Sequence, residues 1–374
     1  MTRLDSALAG KRVVICAGAG GVGKTTISAA VALGLAARGR RVALVTIDPA
    51  RRLAEALGLD SLGNRPQPVY TARFGDLEVR GELFAMMLDA KRTFDEVIDV
   101  LAPDRRTREE ILANPIYGHL SGAVAGSQEY TAIAKLFEIE HSGEYDVIVL
   151  DTPPSRHAID FLKAPDRLIA FFEGRALAAF LRPTGYAARA AGVMFTALRR
   201  LTGAGLLEDL TSFFQLLAEL LEGFRRRAAD VQTLLTSGTS TFVIVTSPER
   251  AALEEAILFG SELDRARMRR AAVIVNRVHS LDPGDRLATR TRLAGVLEAA
   301  LAEKVMRTHS DVQRLARRDW TAVERLRVAL HDDPICLLDR EADVHDVGAL
   351  NELQRELFVS SSPAQRRGGA ESAA

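Results

Sequence analysis

The run Gly18-Ala19-Gly20-Gly21-Val22-Gly23-Lys24-Thr25-Thr26 fits the pattern of a loop that wraps a polyphosphate. Glycines leave room for consecutive backbone N–H groups to turn inward on an anion, which side chains would block. Lys24 would bring a compact positive charge to the β- and γ-phosphates, and Thr25 a hydroxyl to Mg2+. Gly20, Gly21, Val22, Gly23 and Thr26 complete the expected nucleotide contacts. The flanks agree: Arg12 to Ala17 is an apolar, β-branched run of strand length, and Thr26 to Ala36 reads as a helix. Strand, glycine loop and helix together aim a helix N-terminus at an anion.

Three further sites have the right chemistry. Asp48, in Thr46-Ile47-Asp48-Pro49-Ala50-Arg51-Arg52, follows a predicted strand, where parallel sheets place ligands. It is read either as the carboxylate that orients a hydrolytic water or as a helix N-cap before Pro49. Val147-Ile148-Val149-Leu150-Asp151 has the form of a Walker B strand, whose Asp151 would hold the Mg2+ shell; the alternative is an ordinary strand-end turn. Pro153 and Pro154 would stiffen the segment that follows. Asn276 ends another apolar run and can pair with a purine edge through its amide, or serve as a turn residue. Guanine readers carry an Asp three residues on; His279 stands there, so adenine is expected.

The elements that must position these residues are seven short apolar runs: Arg12 to Ala17, Arg41 to Thr46, Leu83 to Leu88, Asp146 to Leu150, Thr241 to Thr246, Ala271 to Val275 and Pro334 to Leu338. They are continuous rather than alternating, as in strands covered by helices on both sides. Helical patterns separate most of them. The expected fold is α/β, a doubly wound, mostly parallel sheet of the P-loop NTPase type. Residues 89–140 and 165–236 have helical but no strand character and are expected to form an inserted subdomain of a domain spanning 11–358. Within it, Leu206 to Leu235 sets Leu210, Phe213, Phe214, Leu217, Leu220, Leu221 and Phe224 near one helical face, either as subdomain core or as a groove. Residues 1–10 and 359–374 read as disordered tails.

Composition limits the function classes. Formal net charge is zero over 374 residues, which gives no general attraction to nucleic acid. The polar start Met1 to Asp5 and the lack of a bilayer-length apolar stretch lead us to expect a cytoplasmic protein. The two cysteines, Cys16 and Cys336, sit in strand-like runs and read as buried thiols.

Taken together, Gly20 to Thr26, Asp48-Pro49-Ala50, Asp151-Thr152-Pro153-Pro154 with His157, Val275-Asn276 and Val344 to Leu350 resemble the arsenite-pump ATPases and the guided-entry ATPases that deliver tail-anchored membrane proteins. The resemblance covers about residues 10 to 358. It implies ATP and Mg2+ as ligands, Lys24 and Thr25 at phosphate and metal, Asp48 as the residue that positions the water, Asp151 at the metal, and Asn276 at adenine. It also implies a two-fold dimer whose opening and closing follows the nucleotide and serves transport or delivery of a membrane-protein client.

The chain departs from that family at informative places. Ala19 stands where the family usually has a second lysine that reaches the partner's phosphates. Arg51 follows Asp48-Pro49-Ala50 where His is usual. The CxxC zinc pair is missing, and two cysteines cannot supply the three of an arsenite site. Neither zinc nor arsenite is therefore expected. A homodimer would need Arg51 or Arg52 in place of the lysine, and a heterodimer would borrow it from a paralogue. Two functions compete: an ATPase motor, and an ATP-binding scaffold subunit with little turnover.

Overall fold

A computed structural model describes residues 3–47, 52–70, 78–115, 117, 128–152, 204–282, 286–340, 343–344 and 346–359. Its centre is an eight-stranded sheet in the order β3-β4-β2-β5-β1-β6-β7-β8. The strands are β1 (Val13–Ala17), β2 (Arg41–Thr46), β3 (Gln67–Pro68), β4 (Glu82–Met87), β5 (Val147–Asp151), β6 (Ser240–Thr246), β7 (Arg270–Val278) and β8 (Ile335–Leu338). All pairings are parallel except β3 with β4. The seven expected strands are all present, with ends shifted by up to three residues. The eighth, β3, is two residues long and contains Pro68, so it carries little strand signal.

Both faces of the sheet are buried, which accounts for the continuous apolar runs. Along β1, Val13, Ile15 and Ala17 enter one core while Val14 and Cys16 enter the other. The second core is closed by α1 (Arg3–Leu8), α2 (Lys24–Ala37) and the last described helix. Numbered in order, the helices between are α3 (Arg52–Ala56), α4 (Ala90–Leu101), α5 (Arg105–Ala113), α6 (Gln128–Ser142), α7 (Ala204–Thr236), α8 (Arg250–Arg265), α9 (Arg286–Ala294) and α10 (Ala299–Leu330); the last is α11 (Val347–Val359).

Residues 3–8 correct the expected N-terminal tail. They form α1, whose Leu4 and Leu8, one turn apart, are 0% and 1% exposed. Asp5 adds an ion pair to Arg38 at 2.5 Å. Its apolar contacts come from two leucines, too few for a periodic pattern to stand out in the sequence. The expected C-terminal tail beyond Val359 lies outside the described residues.

On the opposite face, α4, α5 and α6 pack against the long α7. Phe94 of α4 lies 6.2 Å from the rings of both Tyr117 and Phe224, and the Asn114 amide donates to the Asp209 carbonyl at 3.1 Å. Phe213, Leu220 and Phe224 are buried here as core. The side chains of Phe214, Leu217 and Leu221 lie outside the described residues.

Helix α2 starts at the glycine loop, and α11 seats it firmly. Gly34 meets the face of Phe358 so closely that an added Cβ would lie 2.1 Å from a ring carbon. Arg38 covers the same ring at 4.2 Å. Replacing Gly34 with Ala should therefore cost about 1–3 kcal/mol through overpacking. Urea denaturation of the variant checks this; an unchanged midpoint would mean that Phe358 does not rest on α2 in solution.

Candidate active site

The carboxyl ends of β1, β2 and β5 lie side by side at the centre of the sheet. Parallel register sets Cys16 and Thr46 on either side of Asp151. The chain then leaves β1 through the glycine loop, so residues far apart in sequence meet at one strand-end crevice.

Two glycines are required by space and backbone. A Cβ on Gly18 would sit 1.9 Å from the Val245 carbonyl oxygen of β6. Gly23 has φ +91°, a left-handed conformation, and a Cβ there would lie 2.5 Å from Asn276 Nδ2. Helix α2 starts immediately after it, with Lys24. Lys24 is 6% exposed and folds back across the loop, its Nζ donating to the Ala19 carbonyl at 2.8 Å.

Asp151 is fully buried and gathers hydroxyl groups. Thr25 Oγ1 donates to its Oδ2 at 2.7 Å, and Thr46 Oγ1 donates to the same oxygen at 2.8 Å. Ser28 Oγ lies 3.3 Å from Oδ1 and 2.8 Å from the Lys24 carbonyl. Thr152 Oγ1 fastens the strand end to the Cys16 carbonyl at 2.9 Å. Burial pushes the Cys16 thiol up to about 12; a hydrogen bond with Ser28 opposes this, and the neighbouring Asp151 adds to it.

The structure thus brings Gly18, Gly23, Lys24, Thr25 and Asp151 together at this crevice. Gly20, Gly21, Val22 and Thr26 form the rest of the loop and the first turn of α2. Asn276, expected at a purine edge, has its amide on the loop, donating to the Val22 carbonyl at 3.0 Å. Asp48, Pro49, Ala50, Arg51, Pro153, Pro154 and His157 lie outside the described residues, as does the side chain of Arg52.

Thr46 and Ser28 are two site residues that the sequence reading missed. Ser28 had a signal, one helical turn after Thr25 and so on the same face of α2. Thr46 reaches Asp151 only through the register of β2 against β5, which no local pattern encodes.

The sequence model for the family described as "Anion-transporting ATPase" matches residues 11–313. The chain belongs to the anion-transporting ATPase family. That is a family of ATP hydrolases, and the doubly wound P-loop sheet fits it. Among its curated relatives, the chain is 29% identical to ATPase GET3 of Malassezia globosa over 72% of this chain and 74% of that one. It is 36% identical to the arsenical pump-driving ATPase of Escherichia coli over 42% of this chain and 26% of that protein. It is 28% identical to ATPase ARSA1 of Chlamydomonas reinhardtii over 74% of this chain and 36% of that one. The chain thus spans only about a quarter to a third of the latter two. No helix among the described residues is long and apolar enough to cross a membrane.

Two measurements test this geometry. Thr46→Val keeps the shape of the side chain and removes its donor, so stability should fall by about 1 kcal/mol in urea denaturation. An unchanged value would mean that Asp151 does not need this hydroxyl. Separately, the native protein at pH 8 should resist thiol reagents until unfolded, since Cys16 and Cys336 are both buried. Burial pushes the Cys16 thiol from an ordinary 9.0 up to about 12, so its contribution to stability is expected to be complete below pH 9 and to be lost as pH rises toward 12.

Proposed function

We propose that this ATPase-family chain hydrolyses ATP with Mg2+ at the loop of residues 18–25, in a nucleotide-gated dimer that serves transport or membrane-protein delivery. The observation that carries the reading is the 2.7 Å bond between Thr25 Oγ1 and Asp151 Oδ2 beneath the glycine loop. It sets a hydroxyl and a carboxyl, both hard oxygen donors, where the loop's pattern calls for a divalent ion. The residues therefore fit Mg2+: Thr25 would ligate it directly and Asp151 through its water shell. Bound there, Mg2+ would neutralise charge building up on the phosphates.

The chain's own groups divide the remaining work. Backbone N–H groups of Gly20 to Thr26, at the start of α2, would bind the phosphate oxygens. Lys24 would release the Ala19 carbonyl and pair with the β- and γ-phosphates. Asp48 would orient the attacking water, only two residues beyond Thr46, whose hydroxyl is fixed on Asp151. Asn276 would contribute at the adenine side. Helices α4 to α7 with the segment from residue 165 would form the helical subdomain that carries the client surface.

Ala19 supports a second reading, in which the chain is an ATP-binding subunit with little turnover of its own, paired with a lysine-bearing paralogue. Cys16 and Cys336 lie on β1 and β8, three strand spacings apart, roughly 14 Å. That separation supports the expectation that they hold neither arsenite nor zinc.

ATP hydrolysis by the purified chain, with Asp48→Asn as the blank and mass in solution followed with and without ATP, separates the readings. Turnover above the blank with ATP-dependent dimerisation is the expected result. Binding without turnover would favour the scaffold subunit, and removal of Mg2+ should abolish hydrolysis in either homodimer or heterodimer.

A further inference from the structure

The glycine loop is held from the side away from its N–H groups, by two neighbouring residues of β7. Asn276 Nδ2 donates to the Val22 carbonyl at 3.0 Å, and Arg277 Nη1 donates to the Gly21 carbonyl at 3.3 Å. A carbonyl oxygen can only accept, so the nitrogen end of the Asn276 amide faces the loop. Adjacent residues of a regular strand point to opposite faces and could not both reach one loop. Here the strand is not regular. The pairing of β7 with β8 shifts register between Val275 and Val278, and Arg277 has φ +61°, a left-handed conformation rare for a side chain of this size. That local departure turns both side chains onto the same loop. Backbone strain of this kind persists where surrounding structure fixes it, and it concentrates at functional sites.

The planar trans peptide transmits the effect. Its C=O and N–H point in opposite directions, so binding the Gly21 carbonyl on one side aims the Val22 N–H to the other, and binding the Val22 carbonyl likewise aims the Gly23 N–H. Gly23 is tightly fitted here as well, since any Cβ would strike Asn276 Nδ2.

We propose that Asn276 and Arg277 are positioning residues that latch the carbonyl side of the glycine loop and thereby set its affinity for a triphosphate chain, whatever base that chain carries. This rests on the ATPase reading above and adds a prediction that a purine-reading Asn276 does not make. The residues shape the phosphate cradle, so their loss should be felt by a ligand without any base.

The test uses the full chain and two ligands, ATP and inorganic tripolyphosphate, each with Mg2+ and each measured by calorimetry. Asn276→Ala and Arg277→Ala should each weaken tripolyphosphate binding about fivefold, as for one lost hydrogen bond, and ATP binding by at least as much. Arg277→Lys, which keeps a donor and the charge, should restore most of the loss. Weaker ATP binding with tripolyphosphate unchanged would overturn the latch and leave Asn276 with the base contact alone. Unchanged affinity for both ligands would overturn it too. Arg277→Gly relieves the left-handed backbone while removing the side chain, so it keeps the test open if an alanine variant fails to fold. A wild-type chain that binds neither ligand would instead overturn the ATPase reading, and the latch with it.

Discussion

The buried carboxyl of Asp151 is the point on which the site depends. An acidic group with no exposure must have its oxygens satisfied by protein, and here hydroxyls from two other elements do so. Thr25 and Ser28 come from α2 and Thr46 from β2, so one side chain ties the helix behind the glycine loop to the strand that leads to Asp48. A displacement of either element removes at least one of these hydrogen bonds from a carboxyl in a dry interior. The same bonds therefore fix the spacing between the start of α2 and the carboxyl ends of β2 and β5.

The loop itself is shaped from outside. Its carbonyls are taken up by Lys24, Asn276 and Arg277, while Gly18 and Gly23 lie against backbone and side chain with no room for a Cβ. The glycines here do more than permit unusual backbone angles. They bring the loop close enough to β6 and β7 for those strands to hold it. The conformation of a segment of eight residues thus depends on strands more than 220 positions further along the chain.

Most of the sheet was legible in the sequence because its strands are covered on both faces and so read as unbroken apolar runs. The ones that failed are those whose burial depends on few residues: β3 with its proline, and α1 with Leu4 and Leu8 alone. Among the candidate site residues, the glycine loop and Asp151 were legible because each has a local spacing or a strand-end position. Thr46 and Arg277 had no such signal. The first acts through strand register and the second through a shift in pairing, and both are properties of the assembled sheet. Asn276 was visible as a chemically useful residue, but its contact with Val22 could not be derived from its neighbours. The core reading of Phe213 and Phe224 followed from their helical periodicity with Leu220 once other helices were seen to cover them.

The strand order has a bearing on how this protein is made. β1 is synthesised first yet lies in the interior of the sheet, between β5 and β6. At ribosomal rates of about 5–20 residues per second, it waits roughly 10–45 s for the partner strand that ends at Thr246. Throughout that interval an all-apolar strand and the alanine-rich helix behind it have no complete sheet to enter. The nascent chain is then a natural client for holding chaperones, and the phosphate loop becomes competent only after the distal strands have closed around it.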